Sequence, residues 1–131
     1  MVGAETLGKV QLETSVASAF DVISWEIELA GARCIQLDTI IGELLRTMPI
    51  DQRERLLEGM HTVDLLSQHL TGLSAFLRRL SEDAPDQATT PVSRALADIT
   101  LGALADRLFT AFGGEEEIMD DLPDAGDVDL F

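Results

Sequence analysis

The sequence contains few positive charges. Nine Lys and Arg residues stand against 24 Asp and Glu, which gives the 131-residue chain a net charge of -15 at pH 7. A field of this sign repels the phosphates of nucleic acids and anionic membrane surfaces, so nucleic-acid binding is not expected. The single cysteine, Cys34, excludes an internal disulfide and, with no histidine at a suitable spacing, offers no catalytic nucleophile.

Long hydrophobic runs are also missing, although 46% of the residues are hydrophobic. No run reaches the roughly 18 apolar residues of a membrane-spanning helix. Residues 1–13 lack the cationic start and apolar run of a signal peptide, so we expect a cytoplasmic protein without membrane insertion. The length suits one domain with a modest core.

The apolar residues that are present recur with helical spacing. From Val16 onward they form two sevenfold series, which predict a long helix over about residues 14–48 that ends before Pro49. The first series is Phe20, Ile27, Cys34, Ile41 and Met48, and the second is Val16, Ile23, Ala30, Leu37 and Leu44. Residues 1–13 would form an N-terminal arm.

A second long helix is predicted over about residues 51–81. Asp51 and Glu54 have the spacing of a capping box, and two apolar series follow. These are Leu56, Val63, Leu70 and Leu77, and beside them Gly59, Leu66, Leu73 and Leu80. Because only Pro49 and Ile50 separate the two predicted helices, they must form an antiparallel hairpin.

A third helix is predicted over about residues 90–112. Thr90 and Pro91 are typical of a helix start, and Gly113 with Gly114 is typical of a helix end. Alternating strand patterns are absent, so the fold class is all-α, with a helical domain over residues 14–112. We expect the third helix to cover part of the hairpin's apolar seam and a second copy of the chain to cover the rest, giving a four-helix bundle by homodimerisation.

Two polar residues stand out on the second helix. If Leu56, Val63 and their series face the partner helix, Asp64 and Gln68 lie together on the outward face, one turn apart. Leu65 and Thr71 lie near them and offer further contact area for a protein partner. Taken alone, such a pair is typical of ordinary solvated helix residues.

The segment Asp64-Leu-Leu-Ser-Gln68, on the outer face of a helical hairpin that dimerises, resembles the CheZ family of chemotaxis phosphatases and the related small CheT-like proteins. CheZ-type proteins also end in a short acidic and apolar docking peptide, and this chain ends in DDLPDAGDVDLF. The hairpin is shorter than in that family, and the third helix is an addition to the family's pattern.

The resemblance implies that the chain promotes hydrolysis of the aspartyl phosphate on a CheY-like response regulator. The amide of Gln68 would hold a water in line for attack on phosphorus, and Asp64 would pair with the regulator's lysine. An amide suits this task because it both donates and accepts hydrogen bonds and does not ionise. No cofactor is expected in this chain, while the regulator would carry its own Mg²⁺.

Residues 113–131 are expected to form an acidic, disordered tail, because residues 115–131 hold eight Asp and Glu and no Lys or Arg. Apolar residues are interspersed, which suits a peptide that folds on a partner, with Leu122, Val128, Leu130 and Phe131 as the contacts. The alternative interpretation is a tail that only solubilises.

Two alternative functions remain open at this stage. The same hairpin could serve as a non-catalytic chemotaxis adaptor for the regulator or for the receptor methyltransferase. A histidine phosphotransfer domain is less favoured, because the lysine that such domains place after the histidine does not follow His69, and Val63 stands where the phosphatase motif of histidine kinases has histidine. His61 and His69 are eight residues apart, which does not fit a metal site on one helix turn.

Overall fold

The computed structural model describes residues 11–114 of the chain and has the predicted all-α class, with two long helices followed by two short ones. The helices are α1 (Val16–Thr47), α2 (Ile50–Asp83), α3 (Ser93–Ala97) and α4 (Gly102–Ala111). Two short strands, β1 (Glu13–Ser15) and β2 (Thr89–Pro91), accompany them. The N-terminal arm up to residue 10 and the acidic tail from residue 115 lie outside the described residues.

The described residues divide into two compact units. One is the helical hairpin, Phe20–Asp83. The other combines residues 11–19 with residues 84–114. None of the described helices has the length and apolar character that a membrane span requires.

The hairpin is held by polar contacts as well as apolar ones. Ser24 and Ser74 are buried, and their hydroxyl oxygens lie 2.8 Å apart. Each hydroxyl also lies within hydrogen-bond distance of the other serine's carbonyl oxygen: Ser74 Oγ can donate to Ser24 O at 3.2 Å, and Ser24 Oγ can donate to Ser74 O at 3.1 Å. Because buried hydroxyls are costly without partners, this reciprocal pair favours one alignment of α1 against α2.

The contact seam between α1 and α2 differs from the prediction. The first series of α1, from Phe20 to Met48, is half-buried as expected. The predicted second series lies three positions after these residues, but the column that contacts α2 lies four positions after them. This column is Ser24, Gly31, Asp38 and Leu45. Its small members allow close approach of the helices, since a Cβ placed on Gly31 would lie 4.0 Å from Leu70 Cβ.

The second predicted series is therefore largely exposed in its central part. Leu37 and Leu44 on α1, and Leu66 and Leu73 on α2, each leave about half of their surface open to solvent. Sevenfold spacing locates an apolar column, but it does not decide which neighbouring column the partner helix covers.

The helix ends are fixed by short-range hydrogen bonds. Ser15 Oγ accepts the backbone N–H of Ser18 at 3.0 Å, which caps the start of α1. The predicted capping box that begins at Asp51 is wrong, because α2 already begins at Ile50. Asp51 thus lies within the first turn, where its charge complements the helix dipole.

The second unit contains the main departure from the predicted helices. Thr90, predicted as a helix cap, lies in β2, which pairs antiparallel with β1 in the register Thr14 to Thr90. The backbone N–H of Val92 donates to Leu12 O at 2.8 Å and extends this pairing by one bond. β-branched Thr residues suit short strands, and Pro91 is tolerated because both strands are edges.

The predicted third helix is interrupted between α3 and α4. Asp98 and Ile99 close short i−3 hydrogen bonds at 3.1 Å each, and Leu101 has an extended conformation before α4 begins at Gly102. The apolar spacing continues across this break, which is why periodicity alone predicted one helix. The buried apolar residues of this unit are Val92, Leu108 and Phe112.

Candidate functional site

Asp64 and Gln68 lie in the middle of α2, and both side chains are exposed. Residues four apart on a helix have Cβ atoms roughly 6 Å apart, so the carboxylate and the amide present to solvent together. Leu65 is 56% exposed beside them, and Thr71 is exposed one turn further along. Thr71 Oγ1 donates to the carbonyl of Ser67 at 3.0 Å, which leaves its methyl group and the acceptor side of its hydroxyl for a partner.

Asp38 on α1 is the neighbour of Asp64 that sequence reasoning missed. A hydrogen bond with the Asp64 carboxyl raises the pKa of Asp38 above its ordinary value, and burial and the repulsion of the Asp64 charge raise it further. Oδ1 of Asp38 is shielded from solvent and has no donor among the described residues. Two ionised carboxylates only accept hydrogen bonds, so a bond between them requires a proton on one.

The position of Asp38 gave a signal that sequence reasoning could have used. Asp38 stands four residues after Cys34, in the column that includes Ser24 and Gly31. A charged residue in a half-buried column is unusual unless a partner compensates for its burial. Protonation of Asp38, which its raised pKa favours, is one such compensation, and a cation from a binding partner would be another.

An open groove of about 480 Å³ runs between α1 and α2 within the hairpin. Small residues line much of it, including Gly31, Ser67, Ser74 and Ala75. Thr71 lines it too, which brings the groove next to the Asp64 and Gln68 pair. Near its other end, Glu28 pairs with Arg78, so these charges are already compensated.

The exposed leucines of the hairpin lie on a different face. Leu66 is two residues from both Asp64 and Gln68, which places it about 200° from each around a helix of ~3.6 residues per turn. Leu73 follows Leu66 by seven residues and continues the same stripe. In an antiparallel hairpin, Leu37 and Leu44 of α1 fall on that same face. We call these four residues the leucine face.

The other sequence candidates give no competing site within the described residues. His61 and His69 are both exposed on α2, and Cys34 is half-buried in the helix contact. No group of three or more His, Cys, Asp or Glu residues in residues 11–114 has the arrangement of a metal site. The predicted docking contacts Leu122, Val128, Leu130 and Phe131 lie outside the described residues.

The chemistry open to this site follows from its three polar groups. The Asp38 and Asp64 carboxyls together attract a cation such as a lysine ammonium. The Gln68 amide can orient a water through one donor and one acceptor. No group at the site is a strong base, so positioning and charge complementarity are what it offers.

Comparisons with known proteins give one family. Neither the curated proteins nor the solved structures include a match to this chain. One family model matches residues 12–131, which spans nearly the whole chain and includes the hairpin, the second unit and the acidic segment. The chain therefore belongs to the family described as a domain of unknown function, DUF8776.

Proposed function

We propose that this protein is a cytoplasmic chemotaxis signalling protein that binds a CheY-like response regulator and promotes hydrolysis of its aspartyl phosphate. The observation that carries the proposal is the pair of exposed side chains, Asp64 and Gln68, one turn apart in the middle of α2. An open groove adjoins the pair, so a docked protein has room to approach.

The proposed chemistry is attack of water on phosphorus. The water oxygen forms a bond to phosphorus as the bond to the regulator's aspartate oxygen breaks, and the aspartate leaves as a carboxylate. The proton lost by the water passes to the phosphate product. Gln68 holds the water in line with the breaking bond, and the regulator's own Mg²⁺ and lysine balance the phosphoryl charge. Positioning of this kind is the usual route to faster phosphoryl transfer.

Asp64 has the role of engaging the regulator. A lysine ammonium that docks beside Asp64 also meets Asp38, so two carboxyls share one cation. The ammonium would offset the repulsion from the Asp64 charge, which contributes to the raised pKa of Asp38. This offset favours binding of a partner that brings a positive charge to this position.

The leucine face supports the homodimer of the proposal. Leu37, Leu44, Leu66 and Leu73 form an apolar strip along both helices, and a second hairpin laid against it completes a four-helix bundle. Because this strip is opposite Asp64 and Gln68 on α2, dimerisation leaves both sites of the dimer open. The tail contacts from Leu122 to Phe131 would tether the regulator during turnover.

The test is decay of a phosphorylated regulator. CheY-like regulators of the same organism are phosphorylated with acetyl phosphate, and the loss of phosphate is followed with wild-type protein, with Gln68→Ala and with Gln52→Ala. Gln52 is exposed in the first turn of the same helix and controls for loss of a surface amide. Acceleration by wild type and Gln52→Ala but not by Gln68→Ala is expected. Equal decay with all three proteins rejects the phosphatase.

The adaptor is the second candidate, and the groove beside Thr71 favours it. An open, partly apolar groove provides docking area whether or not Gln68 reaches a phosphoryl group. An adaptor for the regulator or for the receptor methyltransferase would bind its partner without changing the decay rate. Binding measured by titration calorimetry, together with unchanged decay, identifies this function.

A further inference from the structure

The second unit contains an apolar groove that the proposed function does not use. Its volume is about 630 Å³. Its apolar lining is Leu12 just before β1, Leu96 and Ala97 of α3, and Ala105 and Phe109 of α4; Ser93 and Asp106 also line it. Phe109 is 41% exposed at the groove, so part of its ring is open to a further contact.

The chain leaves α4 across this groove. Gly113 has φ of +100°, and the N–H of Gly114 donates to Phe109 O at 2.8 Å, which together reverse the chain at the helix end. The backbone of Gly114 then lies on the Phe109 ring, because a Cβ added there would be 2.3 Å from the ring carbon Cε2. Gly114, the last described residue, therefore lies at the groove, which it lines together with Gly113.

The segment that follows carries suitable apolar side chains within reach. Ile118 and Met119 are the first apolar residues after Gly114, four and five positions away. A fully extended chain reaches roughly 14 Å over four residues and roughly 18 Å over five, so both side chains stay in the neighbourhood of the groove. A short tether of this kind produces an effective concentration on the order of millimolar, which lets even a weak contact form.

We propose that Ile118 and Met119 dock into the groove of their own chain and cover Phe109. Leu122 and the residues after it then remain for a partner, held at a defined distance from the second unit. This docking is a contact within one chain, and it does not depend on the proposed phosphatase activity.

The first test is cleavage of the full-length protein after Glu115–Glu117 by a glutamate-specific protease. Three proteins are compared: wild type, the double variant Ile118→Asp with Met119→Asp, and the control Val128→Asp with Leu130→Asp. Each rate is divided by the rate for a free peptide of residues 113–125 with the same sequence, which removes changes in the protease's own preference. None of the substituted residues lies in the described fold.

The docked segment is expected to slow cleavage about tenfold in wild type and in the control, as for a site that must open before it is cut. The Ile118 and Met119 variant should be cut at the rate of its peptide. Wild type cut as fast as its own peptide would overturn the proposal.

The second test locates the occupant directly. A spin label on Asp120→Cys, in a Cys34→Ser background, should broaden the NMR signals of Leu96, Ala105 and Phe109. A label on Asp127→Cys should broaden them less. No broadening from residue 120 rejects the proposal. Broadening that appears only when labelled chains are mixed with isotope-labelled chains also rejects it, because the occupant is then the segment of a second copy.

Discussion

If the proposed homodimer forms through the leucine face, replacing Leu66 by Asp is expected to dissociate it, while replacing the adjacent Leu65 by Asp is not. The two substitutions are chemically identical and neighbour each other on α2. Leu66 belongs to the leucine face and is 46% exposed, whereas Leu65 points away from α1 and is 56% exposed. The difference between the two variants therefore reports the face and not the added charge.

The magnitude follows from the exposed surface of Leu66. Full burial of a leucine side chain contributes ~1.5–3 kcal/mol, so burying the exposed half contributes about 1 kcal/mol in each protomer. Twofold symmetry doubles this loss to about 2 kcal/mol, which raises the dissociation constant at least ~30-fold. Burying an unpaired carboxylate at the interface adds to the penalty.

Sedimentation equilibrium measures this directly, because the monomer mass is 14.2 kDa and the dimer has twice that mass. Circular dichroism of each variant checks that the helices persist, and Leu66→Ala gives a milder change if the Asp variant loses helix. A Leu66→Asp protein that dimerises as tightly as wild type refutes the leucine face as the interface. Dissociation by Leu65→Asp refutes it as well.

Three further predictions concern stability. Folding raises the pKa of Asp38, so the folded chain binds the Asp38 proton more tightly than the unfolded chain does. The stability that this proton contributes is complete below the ordinary pKa of 3.8 and is lost as pH rises through the raised value. Asp38→Asn should remove this loss and keep a donor for Asp64, so urea midpoints of the variant should fall less than those of wild type between pH 4 and pH 7; an unchanged profile contradicts the pairing. Ser74→Ala removes a buried, hydrogen-bonded hydroxyl and should lower the free energy of unfolding by about 1–2 kcal/mol in chemical denaturation; no loss would mean that the serine pair does not stabilise the hairpin. Gly113→Ala should cost about 1–2 kcal/mol because of the positive φ, while Gly102→Ala, with open space at its Cβ, should not destabilise; equal effects would argue against the helix-end conformation.

The hairpin was predictable because its signals are local. The apolar series from Phe20 to Met48 and Pro49 between the helices predict two long helices and a tight reversal, and these are present. The exposure of Asp64 and Gln68 followed from the same register. What remained undetermined was which column lies beside the first series, because Ser24, Gly31 and Asp38 carry no apolar signal. Their suitability depends on close approach to α2, which is a tertiary property.

The second unit shows where periodicity misleads. The spacing of the apolar residues Val92, Leu96, Ile99 and Leu108 is compatible with one helix. The structure instead has two helices, separated by the non-helical residues Asp98 to Leu101. The short i−3 hydrogen bonds that end α3 are not encoded by apolar spacing. The strand pair was missed because three residues per strand are too few for an alternating pattern to be recognised. Asp38 was missed for a related reason, since its meaning depends on Asp64, 26 positions away in the sequence.

The central claim is that the Gln68 amide places water against a regulator's phosphoryl group. The most direct measurement is the single-turnover rate of phosphate loss from a phosphorylated CheY-like regulator at saturating protein, where binding no longer limits the rate. We expect Gln68→Ala to bind the regulator normally and to lose about 100-fold in this rate, as for misplacement of a reacting group. A rate for wild type equal to the regulator's own decay, or a Gln68→Ala protein as fast as wild type, would contradict the claim.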